Sequence, residues 1–330
     1  MKKASVRNVV QIWALPEQNG CKLGLGHLDS SEALYMHIID TGWRSLKGRF
    51  QPYLHFQNSN GNREEMPIQL GKNIHWRITG PRRCTGYYQD TGWQPCPNDS
   101  VLRRNQIRCR GCSRLDEYSP CIRCRGDTCL ANEERQKQCM ETPYGVYLAL
   151  FGNDIIKVGV SSMSRILLRW IEQGADYGAI IAEVEGGQEA RKTERIVAKR
   201  TDISDAVHRT RKQSSMSMRL NAAAAEEIIL EVIEEMDFAK LHQRPEIIDL
   251  SCYYGFKTLP SEPLTWLESN ASMENSMLDG RICGVKGSNI LVERKSALFI
   301  ADLRRLLGYD LAQLKFPPET IMQSGLEHFL

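Results

Sequence analysis

Eight of the eleven cysteines lie between positions 84 and 139, in spacings that are typical of metal ligands. Cys109 and Cys112 form one C-x-x-C pair, and Cys121 and Cys124 form a second. This spacing lets a tight turn direct two thiolates at one tetrahedral zinc ion, about 2.3 Å from each sulfur. The stretch is therefore predicted to be a zinc-binding module.

Two arrangements of the zinc ligands agree with the order of these cysteines. A single site would use only the two C-x-x-C pairs. We predict two sites instead, because two consecutive sets of four leave none of the eight thiols without a role. The first set is Cys84, Cys96, Cys109 and Cys112, and the second is Cys121, Cys124, Cys129 and Cys139. Four thiolates close the coordination sphere of zinc, so both ions are predicted to be structural.

A disulfide framework and an iron–sulfur cluster are the alternatives to zinc. The first twenty residues, MKKASVRNVVQIWALPEQNG, interrupt their apolar positions with polar ones and form no signal-peptide core. No apolar run approaches the roughly 18 to 20 residues that span a bilayer. We therefore expect a cytoplasmic protein, in which cysteines are kept reduced, and the spacing is not that of a cluster-binding motif.

Basic residues are concentrated in two parts of the chain. Positions 82–137 carry eleven Lys or Arg against seven acidic residues, and positions 191–219 carry nine against three. The residues predicted to contact phosphates are Arg108, Arg110, Arg123, Arg125, Arg165, Arg209, Arg211 and Lys212. Such clusters favour a polyanionic partner, either RNA or DNA, although a solvated charged surface has the same composition.

Downstream of the cysteines, the pattern predicts the order strand, strand, helix, strand, helix. The predicted elements span residues 144–151, residues 155–160, a helix from Ser161 or Ser162 to near Gly174, residues 179–184 and about residues 188–200. A further helix is predicted from Asn221 to Met236, and the final section is predicted to contain strands around 282–292 and a helix over 296–307.

Within this order, residues 145–147 read Gly-Val-Tyr and residues 157–159 read Lys-Val-Gly, followed by Arg169 and Glu194. Together they resemble the GIY-YIG nuclease superfamily over about residues 144–200. The upstream cysteine cluster and the Arg-Trp-Ile-Glu-Gln-Gly-Ala phrase that begins at Arg169 also resemble an uncharacterised family described only as a domain of unknown function.

The GIY-YIG resemblance implies roles for individual residues. In members that cleave, Tyr147 would act as the base, Arg169 would bind phosphate and Glu194 would hold a divalent ion such as Mg²⁺. Arg165 is the alternative to Arg169 if the helix is shifted by one turn. The sequence departs from the superfamily at Lys157, where the second triplet has a tyrosine, and a lysine cannot replace an oriented phenol. Each residue by itself also fits a purely structural role.

The sequence thus predicts an α+β multidomain protein, in which a zinc-binding cysteine module precedes a GIY-YIG-like mixed α/β domain. The predicted domains are a β-rich N-terminal region at 1–80, the cysteine module at 81–140, the GIY-YIG-like domain with a helical extension at 141–240, and a mixed C-terminal domain at 241–330.

The leading functional prediction is a zinc-containing protein that binds RNA or DNA. A Mg-dependent nuclease is one alternative, and an enzyme that modifies nucleic acid in the same pocket is another. A zinc-stabilised adaptor that binds another protein is the third, and it differs by showing no steep salt dependence towards nucleic acid.

Overall fold

A computed structural model of the chain describes residues 35–46, 48–103, 106–153, 155–201, 219–236, 244–256, 265–266 and 273–314. All of them belong to the unit Ala33–Leu330. Within these ranges, no helix has the length and apolarity needed to cross a membrane. Three of the predicted phosphate contacts, Arg209, Arg211 and Lys212, lie outside the described residues.

The described elements are mostly strands, and almost all strand pairs are antiparallel. The strands are β1 Tyr35–Leu46, β2 Arg49–Gln57, β3 Arg63–Pro67, β4 Asn73–Thr79, β5 Tyr87–Gln89, β6 Gly92–Gln94, β7 Pro143–Phe151, β8 Ile155–Ser162, β9 Tyr177–Glu185, β10 Ile247–Asp249, β11 Thr265–Trp266, β12 Met277–Lys286, β13 Asn289–Arg294, β14 Ala297–Asp302 and β15 Asp310–Gln313. The α-helices are α1 Arg110–Leu115, α2 Ser119–Ile122, α3 Glu133–Glu141, α4 Ile166–Gln173, α5 Gly187–Thr201 and α6 Ala222–Met236.

The largest sheet combines strands from the two ends of the chain. In the described part of the chain it has nine strands, in the order β11-β14-β13-β12-β4-β15-β1-β2-β3. Strand β4 lies between β12 and β15, with Trp76 opposite both Leu278 and Gln313. The regions predicted as N-terminal and C-terminal domains therefore contribute to one sheet.

Alternating side chains place one face of this sheet in the main hydrophobic core. In β4, Ile74, Trp76 and Ile78 are buried while the intervening residues are more exposed, as expected for a strand with one face in the core. Side chains from α4, including Trp170 and Ile171, belong to the same core. Helix α4 therefore lies against the large sheet.

A smaller sheet contains the region of the two triplets. Its order is β10-β9-β7-β8, so β7 pairs with β8 on one side and with β9 on the other. One face of β7 contributes to the main core, and the other contributes to a second core shared with α5 and α6. The observed order of elements is the predicted one: strand, strand, helix, strand, helix.

Close contact between two glycines joins α4 to the large sheet. Gly174 ends α4 with φ +73°, the left-handed conformation that favours glycine at this position. A Cβ at Gly174 would lie 3.2 Å from the backbone nitrogen of Gly287, which follows β12. The indole nitrogen of Trp43 donates a hydrogen bond of 2.8 Å to the Gly287 carbonyl. A side chain at either glycine would separate the two layers.

The helix predicted over 296–307 is wrong. Strand β14 occupies 297–302 and pairs with β13, and a short 3-10 turn, Leu303–Leu306, follows it. The reason is the turn between these strands, where Lys295 and Ser296 have φ values of +47° and +64°. Two positive φ values in succession match the twist of a tight hairpin, which makes this segment a strand.

Candidate metal centre

The first cysteine set is positioned by a hairpin and a short helix. The hairpin β5–β6 separates Cys84 from Cys96, and Cys109 caps the N-terminus of α1, which carries Cys112. Gly86, at φ +78°, starts the hairpin where a Cβ would lie 2.2 Å from a backbone oxygen. Only glycine fits there, so this position controls how the hairpin returns the chain to the cluster.

The four sulfur atoms of this set lie within 4.8 Å of one another. The Sγ atoms of Cys96 and Cys109 are 4.0 Å apart, near the spacing of about 3.8 Å between sulfurs in a tetrahedral zinc site. The backbone N–H of Cys109 donates to the sulfur of Cys84 at 3.2 Å, and that of Cys112 donates to Cys109 at 3.4 Å. A set with this donor chemistry and spacing could hold a metal ion such as zinc.

Crowding of the thiols shifts their acidity in opposite directions. Burial opposes ionisation of Cys109, but hydrogen bonds from the Cys112 backbone and from neighbouring side chains outweigh it and lower the pKa of Cys109 to about 7. Burial and the three other thiols raise the pKa of Cys112. Full ionisation of all four thiols therefore requires a cation that offsets their repulsion.

A buried polar network attaches this cluster to the large sheet. The carboxylate of Asp310 accepts hydrogen bonds from Tyr35 at 2.6 Å and from Arg83 at 2.6 Å, and pairs with His37 Nδ1 at 3.0 Å. The other ring nitrogen of His37 lies 3.3 Å from the carbonyl oxygen of Cys84. None of these supporting residues belongs to a sequence motif: they lie on β1, on β15 and, for Arg83, between β4 and β5, so the sequence alone did not indicate them.

An ion pair between Arg108 and Asp116 stabilises the contact between α1 and the hairpin β5–β6. Asp116 is buried at the end of α1, where it pairs with Arg108 and accepts the backbone N–H of Tyr88 at 3.1 Å. The guanidinium of Arg108 also lies over the Tyr88 ring, 5.7 Å from its centroid. Arg108 therefore stabilises the module, in addition to the phosphate contact that was predicted for it.

The second cysteine set lies apart from the first. Its members all line one cavity of about 530 Å³, between the cysteine module and the small sheet: Cys121, Cys124, Cys129 and Cys139. Among the described residues, only the first set has its sulfur atoms drawn together within 4.8 Å. The structure thus groups Cys109 and Cys112 with Cys84 and Cys96 rather than with the second C-x-x-C pair.

Four arginines surround an open groove of about 600 Å³ beside α1. They are Arg108, Arg110, Arg114 and Arg123. Asp116 is the one carboxylate among the described residues that line this groove, and it is paired with Arg108. Of the other predicted phosphate contacts, Arg125 is exposed, and Arg165 lies 3.4 Å from Glu172.

Tyr147, the predicted base, is buried in the small sheet. It is 1% exposed, its ring packs edge-on against Trp170 with centroids 5.7 Å apart, and its hydroxyl accepts a hydrogen bond of 2.8 Å from Gln173. Gly159 lies opposite Tyr147 on β8, where a Cβ would lie 2.5 Å from the phenol. The glycine of the second triplet is therefore needed to accommodate the tyrosine of the first.

The other residues predicted to be catalytic differ in how deeply they are buried. Burial raises the pKa of Tyr147, the positive charge of Arg169 lowers it and the negative charge of Glu194 raises it. Glu194 is buried on α5 and accepts a hydrogen bond from Arg191 at 2.9 Å. Arg169 is half exposed on α4, and Lys157 is half buried on β8. These roles remain predictions.

The family model described as "Protein of unknown function (DUF2797)" matches residues 71–311, nearly three quarters of the chain. No curated protein and no solved structure matches the sequence. The matched segment includes the eight clustered cysteines, the arginine-lined groove and the small sheet. The chain therefore belongs to the DUF2797 family of proteins of unknown function.

Proposed function

We propose that this chain is a zinc-containing protein that binds RNA or DNA through the arginine-lined groove of its cysteine module. The observation that supports this proposal is the groove itself. The exposed arginines Arg110, Arg114 and Arg123 have no carboxylate partner among the described residues, so their charge is available to an anion. Guanidinium groups bind phosphate oxygens in a bidentate manner, which suits them to a nucleic-acid backbone.

The arrangement of these arginines depends on the first cysteine set. Arg110 and Arg114 lie four residues apart on α1, and therefore on the same face of that helix. Helix α1 begins directly after Cys109 and contains Cys112. A zinc ion at the first set would hold this helix in place, and the positions of the two guanidinium groups would follow from it.

Apolar side chains on the same module favour contact with bases as well as phosphates. Ile122 lines the groove and is 71% exposed, and Tyr118 nearby is also exposed. Exposed aromatic and apolar side chains beside arginines are the usual components of a surface for single-stranded nucleic acid. The proposed ligand is therefore single-stranded RNA or DNA, bound with little sequence preference.

Replacing the three exposed groove arginines, as Arg110→Ala, Arg114→Ala and Arg123→Ala together, is expected to weaken binding on the order of 100-fold at low salt. The slope of log affinity against log salt should fall by about 2, because about 0.7 of a counterion is released for each phosphate contact on a single strand. Fluorescence anisotropy with labelled RNA and DNA oligonucleotides across a salt series measures both quantities.

The matched control removes the same charge elsewhere. Arg44, Arg49 and Arg281 are exposed on strands of the large sheet, and their combined replacement by alanine should leave affinity and slope close to wild type. Equal losses in both triple variants would mean that only net charge matters and would reject the groove. Salt-independent or absent binding by the wild type would instead favour the adaptor function.

A Mg-dependent nuclease is a second candidate, favoured by the influence of the Arg169 and Glu194 charges on the pKa of Tyr147. Two observations weigh against it as the leading proposal. The Tyr147 hydroxyl contacts Gln173 and is buried, and Glu194 is paired with Arg191. An enzyme that modifies nucleic acid would use the same residues, with Lys157 as the group that distinguishes it from the nucleases.

If the chain cleaves nucleic acid, Glu194→Gln should lower Mg-dependent turnover by at least about 100-fold, because the carboxylate that holds the ion would be lost. Cleavage of labelled oligonucleotides, with and without Mg²⁺, is the measurement. Glu189→Gln is the control, because Glu189 is an exposed carboxylate on the same helix and pairs with Lys192. Wild-type protein that shows no Mg-dependent cleavage would end the nuclease hypothesis while leaving the binding proposal intact.

A further inference from the structure

The segment that carries the second cysteine set has almost no hydrophobic core of its own. Helices α2 and α3 are both fully described, and neither contains a buried residue. Apolar side chains between and within them are exposed, with Leu130 at 78% and Met140 at 54%. A segment that buries so little apolar surface needs a covalent or metal crosslink to keep one conformation.

The four cysteines of this set converge on one place. All of them line the cavity between the module and the small sheet. Cys129 lies just before α3, and Cys139 lies in the C-terminal half of that helix. The sulfur of Cys124 already accepts a hydrogen bond from the backbone N–H of Gly126 at 3.4 Å, as the sulfur of Cys109 does from the N–H of Cys112 in the first set. Gly126 has φ +86°, and a Cβ there would lie 2.7 Å from a backbone oxygen of α5.

The small sheet and α5 are shaped to admit these sulfurs. A Cβ at Gly187, where α5 begins, would lie 2.7 Å from the Cys139 sulfur. The hydroxyl of Tyr144 lies 4.0 Å from the same sulfur and can donate to it. Glycine and a hydroxyl donor are thus placed where a thiolate approaches the sheet, although neither position carries a motif of its own.

Arg135 supplies positive charge beside the same thiols. Its side chain is 10% exposed, it lines the cavity, and its Nε is a buried donor that has no hydrogen-bond partner among the described residues. Its guanidinium also pairs with Asp90 and lies 3.5 Å from the centroid of the Tyr118 ring. Because a metal-bound thiolate accepts hydrogen bonds, a negatively charged metal–thiolate group would satisfy this donor.

We propose that Cys121, Cys124, Cys129 and Cys139 form a second zinc centre in this cavity, with Arg135 as the cation that supports it from outside the coordination sphere. Binding of the ion draws the four sulfurs together. The same event attaches the weakly packed α2–α3 segment to the small sheet and α5. This inference does not depend on nucleic-acid binding, because it rests on the thiols and their surroundings alone.

Zinc content of the purified full chain is the first test. Elemental analysis should give about two zinc ions per wild-type chain and about one for the variant Cys121→Ser/Cys124→Ser. Cys252→Ser/Cys283→Ser removes two cysteines outside both sets and should leave the content at two. One zinc in the wild type overturns the proposal, and so does a Cys121→Ser/Cys124→Ser variant that still holds two.

A second measurement avoids variants that fail to fold. Wild-type protein, with and without zinc, is treated with a thiol-alkylating reagent, and each cysteine is followed by peptide mass spectrometry. Zinc should slow alkylation of all four cysteines of the second set by at least about tenfold, whereas exposed Cys252 should react equally in both samples. Equal reactivity of the second set in both samples would exclude a zinc centre there.

Arg135→Gln tests the supporting role separately from the ligands. Loss of an outer-sphere partner typically lowers metal affinity by about 10–100-fold, so one of the two zinc ions should pass more readily to a competing chelator. Asp90→Asn removes the ion-pair partner of Arg135 without touching the thiols, and should leave zinc retention unchanged. If both variants lose zinc equally, Arg135 acts only through the structure of the segment, and its assigned role is wrong.

Discussion

Replacing Cys109 and Cys112 together with serine is expected to remove one zinc ion per chain and to lower the free energy of unfolding on the order of 4 kcal/mol. These residues supply two of the four sulfurs that lie within 4.8 Å, and Cys109 also caps α1. Without the ion, the hairpin β5–β6 loses its crosslink to α1 and is held against that helix only by non-covalent contacts such as the Tyr88–Asp116 hydrogen bond. Zinc analysis and urea unfolding, followed by circular dichroism, measure the two effects.

The same variant connects the metal to the proposed function. Because α1 carries Arg110 and Arg114, loss of the ion should weaken nucleic-acid binding about as much as removal of the groove arginines does. Cys252→Ser is the control, because Cys252 is exposed and lies outside both sets. Unchanged zinc content in the Cys109→Ser/Cys112→Ser variant would show that the first set is not a metal site. Unchanged binding with zinc lost would separate the groove from the metal.

Asp176→Ala is expected to destabilise the fold by about 3–5 kcal/mol, the usual cost of removing one partner of a buried ion pair. The carboxylate of Asp176 lies 2.7 Å from the Lys286 ammonium, and both side chains are almost fully buried. It also accepts the backbone N–H of Gly152 at 2.8 Å. The variant would leave a buried ammonium group without its carboxylate and a buried N–H without its acceptor, at the point where the small sheet meets the large one.

A double variant distinguishes the buried charge from lost packing. Asp176→Ala/Lys286→Met removes the cation as well, and should be more stable than Asp176→Ala alone by at least about 1 kcal/mol. Glu65→Gln, in an exposed pair with Arg44, should change stability by no more than about 0.5 kcal/mol. If the double variant is no more stable than Asp176→Ala, the uncompensated charge of Lys286 is not the cause. Urea unfolding of the four proteins decides this.

Local patterns predicted the part of the structure that depends on short segments. The C-x-x-C pair at Cys109 and the turn that it requires are contained in four residues, and the structure places this pair at the start of α1. The helix predicted from Asn221 is observed as α6, with the Asn221 side chain accepting the N–H of Ala224 at 2.9 Å. A capping asparagine and an apolar stripe act within one helix, so the sequence carries all the information needed.

The same local reasoning gave a wrong result where the decisive contact lies outside the segment. Residues 296–307 have the apolar spacing of a helix, but the positive φ values of Lys295 and Ser296 form a hairpin with β13. Pairing with a neighbouring strand then outweighs helix propensity, because strand preference depends on the partner more than on the segment itself. The two turn residues, Lys295 and Ser296, are neither Gly nor Asn, so the sequence did not indicate a tight hairpin there.

The sequence by itself determined the thiol-rich module, the clustered arginines and the order of elements in the small sheet. Each of these features depends on residues that are close together along the chain. Only the tertiary structure decided which sulfurs meet and that strands from both ends form one sheet. It also placed Asp310, 273 residues from His37 in the chain, in hydrogen-bond contact behind the cysteine cluster. Contacts between residues this far apart in the sequence arise from packing of the whole chain, so they cannot be predicted from the local pattern of apolar residues.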